Sequence, residues 1–542
     1  MILMADTKLV RGTMLLTSAT MISRFLGLIY IFPFTILVGQ QGNALYQYGY
    51  LPYQLLLSLA TMGVPMAISK FVSKYNALDD YHTGQRLFRS GLVFMTATGF
   101  IAFLVLFLMA PVIAGWVLPS NGDPSGNSHS DVVFTIRMVS IALLIIPGMA
   151  VLRGYFQGFQ SMGPTAVSQV IEQVARILFI LATAFIVLEV FGGSLGLAVG
   201  LATFGAFIGG LSSLFVLLYF WRQRKAGIQQ QISESKTDHQ LSLTSMYKEL
   251  IVYALPLSFV GLAIPLFQVI DMFTFNDAMA AYGANAGEAE TAFGVFSRTT
   301  HALIMIPVAI ATAMAVNLIP AITEANTNRD VEKMHGLITK TFQIILFFTI
   351  PAAFGLAILA TPAFASLYGL QDIGIGSMVL SYYAPAAILF SIFAVTAAML
   401  QGMNRQKYAV AGLCIGLFIK LGLNYGLIAS FGALGGVSAT IIGYTAAIGF
   451  NVWAVGKFAD YRFTQIGRQA AMIMGFTAVM AIAVYIVREG GAVIFDTSGQ
   501  AGFVTILIFG VLIGMFVYLI LAIRTGLAEK VIGNRFAFMR KR

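Results

Sequence analysis

Several ionisable side chains stand inside long apolar stretches of this chain, where an uncompensated charge is costly. Five are basic and two are acidic, namely Arg24, Arg137, Arg176, Arg298, Lys420, Glu172 and Asp271. An arginine at the centre of a bilayer costs at least ~2.5 kcal/mol. The surplus of positive charge favours an anionic ligand, and an arginine fork matches two phosphate oxygens at once. The residue types therefore indicate phosphate binding at membrane depth.

Several of these residues also have a structural interpretation. Glu172 and Arg176 are four residues apart, so a salt bridge on one helix accounts for both. Arg137 lies near the end of its apolar stretch and can extend its guanidinium to the membrane surface. Asp271 can hydrogen-bond within its bundle or take part in proton or sodium coupling, and Glu172 is the other candidate for ion coupling.

Two of the cations are harder to explain by structure alone. Arg24 is the one ionised residue between Gly12 and Val38, and no carboxylate stands within a helical turn of it. Lys420 lies deep in the apolar segment 408–430. His301, three residues after Arg298, is better explained as a polar packing residue than as a coupling site.

Transmembrane helices must position these charges. The 542 residues are 58% hydrophobic and 10% charged, whereas a soluble domain carries about 25% charge. Apolar runs of ~20 residues, enough for a helix to cross a ~30 Å hydrocarbon core, recur along the chain. The runs are continuous and do not alternate, which predicts helices and excludes a barrel. We predict fourteen spans, at residues 12–38, 46–72, 90–117, 133–156, 165–190, 195–220, 249–275, 293–320, 338–360, 377–401, 408–430, 434–456, 470–488 and 502–523.

The basic residues predict the orientation of these spans. Of the 32 Lys and Arg residues, all except Arg488 and the five cations named above fall in predicted cytoplasmic segments or, like Arg153, within three residues of the cytoplasmic end of a span. The positive-inside rule therefore predicts a multi-pass membrane protein with both termini in the cytoplasm. This distribution also accounts for the net charge of +10 without a nucleic-acid partner.

The two halves of the chain resemble each other. Gln157 and Gln401, each followed by glycine, end predicted spans, and a cation stands 19 residues after each glutamine: Arg176 and Lys420. We therefore predict an all-α architecture of two pseudo-symmetric six-helix lobes, related by an axis along the membrane normal, with a ligand site between them. The predicted units are an N-lobe 1–223, a cytoplasmic linker 224–247, a C-lobe 248–458, two further helices 459–525 and a basic tail 526–542.

The sequence disfavours other classes of protein. The single cysteine, Cys414, excludes an intrachain disulfide and a thiolate metal site. No Walker loop, dinucleotide fingerprint or HExxH motif is present. We expect no metal and no cofactor, so that a membrane potential or an ion gradient drives the process. An integral-membrane glycosyltransferase needs carboxylates or a histidine in a long outer loop, and the longest predicted one, 277–292, has no histidine. We therefore expect no enzyme activity.

Four segments carry a family resemblance. They are KLVRGTMLLTSATMISRFLGLIYIFPFTILVG (8–39), ATMGVPMAISKFVSKYNALDDY (60–81), residues 136–177 and AILFSIFAVTAAMLQGMNRQKYAV (387–410). They resemble the polysaccharide-biosynthesis branch of the multidrug/oligosaccharidyl-lipid/polysaccharide (MOP) exporters, in particular MurJ-like lipid II flippases and stage V sporulation B proteins. The resemblance covers essentially the whole chain and implies a MATE-like fold of fourteen helices in the bacterial plasma membrane.

The resemblance also implies a function. The chain would move undecaprenyl-pyrophosphate-linked peptidoglycan precursor from the inner to the outer leaflet by alternating access. Its partners would be this anionic lipid-linked glycan, the bilayer and cell-wall synthesis proteins. The alternatives are a flippase for another lipid-linked oligosaccharide or for spore cortex precursor, and a multidrug or cation antiporter. The surplus of cations disfavours the antiporter, because a site for cationic drugs needs acidic residues.

The family pattern implies one site residue above the others. A Ser-Arg-x-Leu-Gly segment in the first helix is matched by SRFLG around Arg24, which implies that Arg24 binds the diphosphate. Elsewhere the chain departs from the pattern: Asn43 replaces an expected acid, and Ala302 an expected cavity arginine. The second helix also lacks an expected arginine. The remaining candidates for diphosphate binding are Arg298, Arg176, Lys420 and Arg137.

Overall fold

A computed structural model describes residues 2–61, 63–118, 123–235 and 259–532, and every regular element in these ranges is a helix. The chain divides into two compact units, Met1–Val269 and Ile270–Arg542. The first unit contains, in chain order, α1 (Ile2–Ile29), α2 (Ile31–Thr61), α3 (Val64–Asn76), α4 (Tyr81–Val117), α5 (His129–Ser140), a 3-10 turn (Ile141–Leu144), α6 (Ile146–Gly158), α7 (Met162–Phe185), a π-helical turn (Ile186–Val190) and α8 (Leu195–Ser233).

The second unit begins within the next helix. Its elements are α9 (Ala263–Tyr282), α10 (Ala286–Gly294), a π-helical segment (Val295–Thr300), α11 (His301–Thr327), α12 (Val331–Ile358), α13 (Ala360–Tyr368), α14 (Ile373–Tyr383), α15 (Ala386–Gly402), α16 (Gln406–Phe431), α17 (Ala433–Ala459), α18 (Thr464–Ile494), α19 (Gln500–Arg524) and α20 (Leu527–Ile532).

The described helices confirm an all-α membrane protein with roughly the predicted number of spans. Eleven are long and apolar enough to cross a membrane, or up to twelve if α14 and α15, bent by 44°, form one span. The run Met14–Asn76 counts once but is 63 residues long, and it contains the predicted spans 12–38 and 46–72. The predicted span 249–275 lies partly outside the described residues. These two differences reduce the predicted fourteen spans to twelve, and the bent pair accounts for the count of eleven.

The first two spans break at glycines. Gly39 has φ +67° and interrupts α2 one residue after the predicted end of the first span. Gly63, with φ +72°, separates α2 from α3, and Pro65 then opens α3. A left-handed backbone conformation costs glycine little, because it has no Cβ. The 63-residue run is therefore a series of helices joined by bends.

Two predicted loops are largely helical. The segment 277–292, predicted as the longest outer loop, is covered by the end of α9 and by α10. Asn285 and Glu288 form a capping box that starts α10 only three residues after α9 ends. On the other side, α8 continues to Ser233, beyond the predicted lobe limit at 223. The rest of the predicted linker, from 236, and the end of the basic tail, from 533, lie outside the described residues.

Each unit contains the same two turns, which supports the predicted internal repeat. Asp80 and Asp330 cap α4 and α12 with their carboxylates, and the residue before each has a left-handed backbone. The turns after α6 and α15 also match, since Gln160 and Asn404 take φ +54° and +57°. Each of these two residues stands three positions after the glutamine of its Gln-Gly pair. The sequence therefore encodes equivalent loops in both halves.

The glycines of the two Gln-Gly pairs pack in the same way. A Cβ on Gly158 would lie 2.7 Å from Cβ of Val72, and a Cβ on Gly402 would lie 2.7 Å from Cβ of Ile322. In each unit the next contact is a backbone carbonyl three residues earlier on the same neighbouring helix, at 3.0 and 2.9 Å. Each glycine thus allows a close approach of two helices, which explains why the pair recurs.

Candidate functional site

Arg24 lies on a packed helix but has an exposed side chain. One turn earlier, the hydroxyl of Thr20 lies 3.3 Å from Oε1 of Gln169 on α7 and donates to it. A Cβ on Gly27 would lie 2.9 Å from the amide nitrogen of Gln173, also on α7. Among the side chains that the structure describes, no carboxylate oxygen lies within 4.0 Å of the Arg24 guanidinium. Its position is therefore fixed by packing of α1 on α7, while its charge is open to a ligand.

Glu172 is shared by two arginines inside the first unit. Its carboxylate oxygens lie 2.8 Å from Nη2 of Arg153 on α6 and 2.8 Å from Nη2 of Arg176 on α7. Arg153 also donates to the hydroxyls of Ser168 and Ser213, at 3.0 and 2.7 Å. All three charged side chains are between 14% and 16% exposed. The cluster joins α6, α7 and α8 and carries one net positive charge.

The structure confirms the salt-bridge interpretation of Glu172 and Arg176 and adds a residue that sequence analysis missed. Arg153 was placed in a cytoplasmic segment, because it stands near the end of a predicted span. Its apolar neighbours, GMAVL before and GYF after, were the signal that its charge needs a partner within the protein. Arg176 also lies within electrostatic range of Tyr46, Tyr50 and Tyr53, which line one side of α2.

Lys420 and Asp271 form a fully buried ion pair in the second unit. Nζ of Lys420 lies 2.6 Å from Oδ2 of Asp271, and the two side chains are 0% and 2% exposed. The ammonium also donates to Oγ1 of Thr440 at 2.8 Å and lies 6.0 Å from the centre of the Phe296 ring. One turn further along α16, Asn424 donates to the hydroxyl of Thr274. Lys420 thus joins α9, α16 and α17 and has no exposed atom for a ligand in this conformation.

The two cations predicted from the repeat occupy equivalent positions. Arg176 is the fifteenth residue of α7, and Lys420 is the fifteenth residue of α16. Their carboxylate partners differ, because Glu172 stands on the same helix as its cation and Asp271 on another. The repeat therefore preserves the place of the cation, and each half neutralises it differently.

Arg298 lies in the π-helical segment and is 6% exposed. Such π-helical turns often mark functional sites. The neighbouring carbonyl of Thr299 accepts a hydrogen bond from the hydroxyl of Tyr368 at 2.8 Å. His301 lies 3.2 Å from the hydroxyl of Tyr383 and packs against the ring of Phe390, which agrees with a polar packing role. Arg298 therefore sits in a well-packed region.

Arg137 is partly buried in the last turn of α5, where the 3-10 turn interrupts its span. Its guanidinium carbon lies 4.8 Å from the ring centre of Phe107 on α4. An arginine over an aromatic face is stabilised by the ring quadrupole. Arg137 has thus a partner inside the unit. Among the described residues, the structure contains no group of three metal-ligating side chains that could hold a metal ion.

Comparisons with known proteins place the chain among membrane proteins of one family. Residues 9–326 match the family model described as polysaccharide biosynthesis protein. The lipid II flippase MurJ of Bacillus subtilis (strain 168) is 43% identical over 540 residues, covering 99% of both chains. Stage V sporulation protein B of the same organism is 26% identical over 463 residues, covering 84% of this chain and 85% of that protein.

Solved structures support the same fold. A structure of lipid II flippase MurJ in an inward closed conformation superposes with a TM-score of 0.68 over 96% of this chain and 100% of that one, at 16% identity. An inward-facing MATE multidrug transporter of the MOP superfamily gives a TM-score of 0.63 over 80% and 95% of the two chains, at 17% identity. At these identities the match shows the fold alone.

Proposed function

Because the chain belongs to the polysaccharide biosynthesis protein family, we propose that it is a lipid II flippase, which moves the undecaprenyl-pyrophosphate-linked peptidoglycan precursor from the inner to the outer leaflet. The observation that carries the proposal is the 43% identity to a lipid II flippase over 99% of both chains. The protein works by transport and not by catalysis.

Arg24 is the residue that we propose to bind the diphosphate. Its side chain is exposed, its helix is anchored on α7, and a bound diphosphate supplies the counter-charge that no described neighbour supplies. An arginine binds phosphate oxygens through two parallel N–H donors, which gives orientation as well as affinity. Arg298, Arg176 and Arg137 are secondary candidates that become ligands only if the surrounding helices rearrange.

Lys420 is the candidate whose contacts argue most strongly for a different role. It is fully buried against Asp271, so binding a diphosphate would require breaking this ion pair. We propose that the pair is held throughout the cycle and fixes α9, α16 and α17 together. Ion coupling through Asp271 is the alternative to this proposal, because it would require the pair to open. Ion coupling through Glu172 stays a proposal, because a change of partner would release its carboxylate.

The membrane potential is the energy source that we propose, without cofactor or metal. Moving one charge through 100 mV is worth ~2.3 kcal/mol, and a negative-inside potential favours outward movement of an anion. The head group of the substrate is too polar to cross the hydrocarbon unaided. Alternating access of a cationic cavity would therefore combine charge neutralisation with exclusion of lipid. In this proposal the protein spans the bacterial plasma membrane, and both of its termini lie in the cytoplasm.

The test is complementation in a host depleted of its own lipid II flippase. Growth and outer-leaflet lipid II are scored together with the full chain supplied in trans. Rescue of both supports the proposal, and no rescue despite membrane expression refutes it. Arg24→Ala should abolish rescue at unchanged expression, whereas Arg468→Ala, an exposed arginine on α18, is the matched control and should rescue fully. Normal growth with Arg24→Ala would remove Arg24 as the ligand.

A related substrate is the second candidate. The chain is also 26% identical to stage V sporulation protein B over most of both chains. This similarity favours a flippase for a spore cortex precursor or another lipid-linked glycan if lipid II transport is absent. The lower identity makes it the weaker candidate. Rescue of a sporulation-deficient strain, without rescue of the depleted host, would establish it.

A further inference from the structure

An apolar groove in the first unit lies apart from the charged residues described above. It has a volume of about 430 Å³ and is formed by α4, α6, α8 and the 3-10 turn that interrupts the fourth span. Apart from Thr96, the groove is lined by aliphatic, thioether and aromatic side chains and by the backbone of Gly148. Its lining residues belong to membrane-spanning helices, so the ligand available to it is a lipid chain.

The groove follows two antiparallel helices. On α4 it is lined by Phe88, Leu92 and Thr96, which recur every four residues and so share one face. On α8 it is lined by Leu214, Leu218 and Trp221. The distance from Phe88 to Thr96 corresponds to about 12 Å along a helix axis, at ~1.5 Å per residue. The acyl chains of one leaflet occupy half of a ~30 Å hydrocarbon core, which is about 15 Å. The groove therefore matches the length of a single-leaflet acyl chain.

Two aromatic side chains indicate that one end of the groove lies at the membrane boundary. The rings of Phe88 and Trp221 stack there with their centres 5.1 Å apart. Tryptophan is enriched at the level of lipid head groups. The face of α8 that lines the groove then continues into cations, because Arg222 follows Leu218 by one turn and Lys225 follows Trp221 by one turn. Both side chains are exposed.

We propose that this groove binds one acyl chain of an anionic glycerophospholipid, with the lipid phosphate at Arg222 and Lys225. The apolar walls take the chain, and the two cations supply the charge complementarity for the head group. Basic pockets beside transmembrane helices recognise anionic lipids in this way. The bound lipid fills the space at the interrupted fourth span and joins α4, α6 and α8. This inference does not depend on the substrate of the protein.

The isoprenoid chain of a lipid-linked glycan is the other lipid to consider. A chain of undecaprenyl length is several times longer than the groove, so most of it would remain outside. The groove also ends at the 3-10 turn and does not continue along α5. The length of the groove therefore favours an ordinary phospholipid, and the experiment below includes the isoprenoid as a competitor.

Trp221 provides a built-in reporter for the test. The chain has three tryptophans, Trp116, Trp221 and Trp453, so that replacing two of them by phenylalanine leaves a single fluorophore in the groove. The full-length protein is reconstituted in phosphatidylcholine bilayers that contain increasing fractions of brominated phosphatidylglycerol or brominated phosphatidylcholine. Bromine on the acyl chain quenches a nearby indole. A protein with Trp116 alone, an exposed tryptophan at the far end of α4 from the groove, reports contact with the bulk bilayer.

We expect half of the Trp221 fluorescence to be quenched at a certain fraction of the brominated anionic lipid. The fraction of the brominated zwitterionic lipid that is needed for the same quenching should be severalfold higher. Each cation near a membrane surface favours an anionic lipid by about fivefold. Arg222→Gln and Lys225→Gln together should abolish the preference, and Gly148→Leu should reduce quenching by both lipids because it fills the groove. Trp116 should show no preference in any variant.

Three results would overturn the proposal. Equal quenching of Trp221 by both lipids would show contact with bulk bilayer only. A preference that survives Arg222→Gln with Lys225→Gln would place the head group elsewhere. Release of quenching by undecaprenyl phosphate at equimolar amounts would assign the groove to the isoprenoid. Since the charge variants lie on an exposed face, they keep the test decisive even if Gly148→Leu fails to fold.

Discussion

The buried pair of Lys420 and Asp271 permits a test that separates a structural role from a role in transport. At 2.6 Å, two unit charges attract by about 6 kcal/mol at an effective dielectric constant of ~20. Removing both ions from water costs several kcal/mol each, so the pair as a whole contributes little to stability. Removing one partner, by contrast, leaves a buried unpaired charge. We therefore expect Asp271→Leu or Lys420→Met alone to lower the free energy of unfolding by about 3–5 kcal/mol.

The double variant Asp271→Leu with Lys420→Met should recover most of this loss. Two apolar side chains of similar volume replace a buried pair with neutral or favourable effect in other proteins. Thr440 is not left without a partner, because its hydroxyl also donates to the carbonyl of Gly436 at 2.9 Å. The measurement is a double-mutant cycle of unfolding in mixed micelles, with Cys414→Ala as a variant outside the pair. If the double variant is as unstable as the worse single variant, the ion-pair reasoning is wrong.

The same variants separate the two roles of Lys420. If the pair is structural, the stable double variant should restore growth in the flippase-depleted host, even though it lacks the ammonium. If Lys420 binds the diphosphate, the double variant should be stable and inactive. A stable, inactive protein would therefore contradict our proposal that the pair only holds the helices together.

Three further predictions follow from the described contacts. Glu172→Gln removes the carboxylate that two arginines share, so it should lower the free energy of unfolding by about 3–5 kcal/mol, and an unchanged unfolding curve would contradict this. Gly158→Ala and Gly402→Ala should cost similar amounts, about 1–3 kcal/mol each, since an added Cβ meets a neighbour at 2.7 Å in both units. Gly467→Ala, with no atom within 4 Å of its Cβ, is their control, and a large difference between the two matched sites would argue against equivalent packing. A cysteine at Ala281, in a chain without the native cysteine, should react from outside the cell with an impermeant thiol reagent; protection there and labelling from the cytoplasmic side would reverse the predicted orientation.

The number and limits of the helices were largely predictable, because hydropathy and the positive-inside rule act over whole spans. The bends were harder to predict. Gly63 stands in apolar surroundings, and its left-handed backbone leaves no mark on hydropathy. Gly39 is followed by two glutamines, and the break there falls one residue after the predicted end of the first span. The repeated turns were readable in principle, since Asp80 and Asp330 each stand before a long apolar helix. Their equivalence becomes visible only when both caps are seen to accept the same kind of backbone hydrogen bond.

The site was predictable in its residues and less so in their pairing. Glu172 and Arg176 were paired from their spacing, because four residues are one helical turn. Asp271 and Lys420 are 149 residues apart, and no local pattern indicates that α9 and α16 bring them together. Arg153 was missed for a similar reason, since its partner Glu172 stands on another helix.

The pairing changes how the positive surplus should be interpreted. A simple count treats every membrane cation as available to an anionic ligand, but Lys420 is neutralised by Asp271, and Arg176 shares the carboxylate of Glu172 with Arg153. Arg153 adds a further cation, and the buried Glu290 adds a carboxylate, so the surplus remains while its location changes. Of the charges placed by the structure, Arg24 combines exposure with the lack of a described carboxylate partner. A transporter that must release its anion gains from a single firm contact, since several would hold the diphosphate too tightly. The fixed ion pairs would then keep each helix bundle rigid while Arg24 binds and releases the substrate.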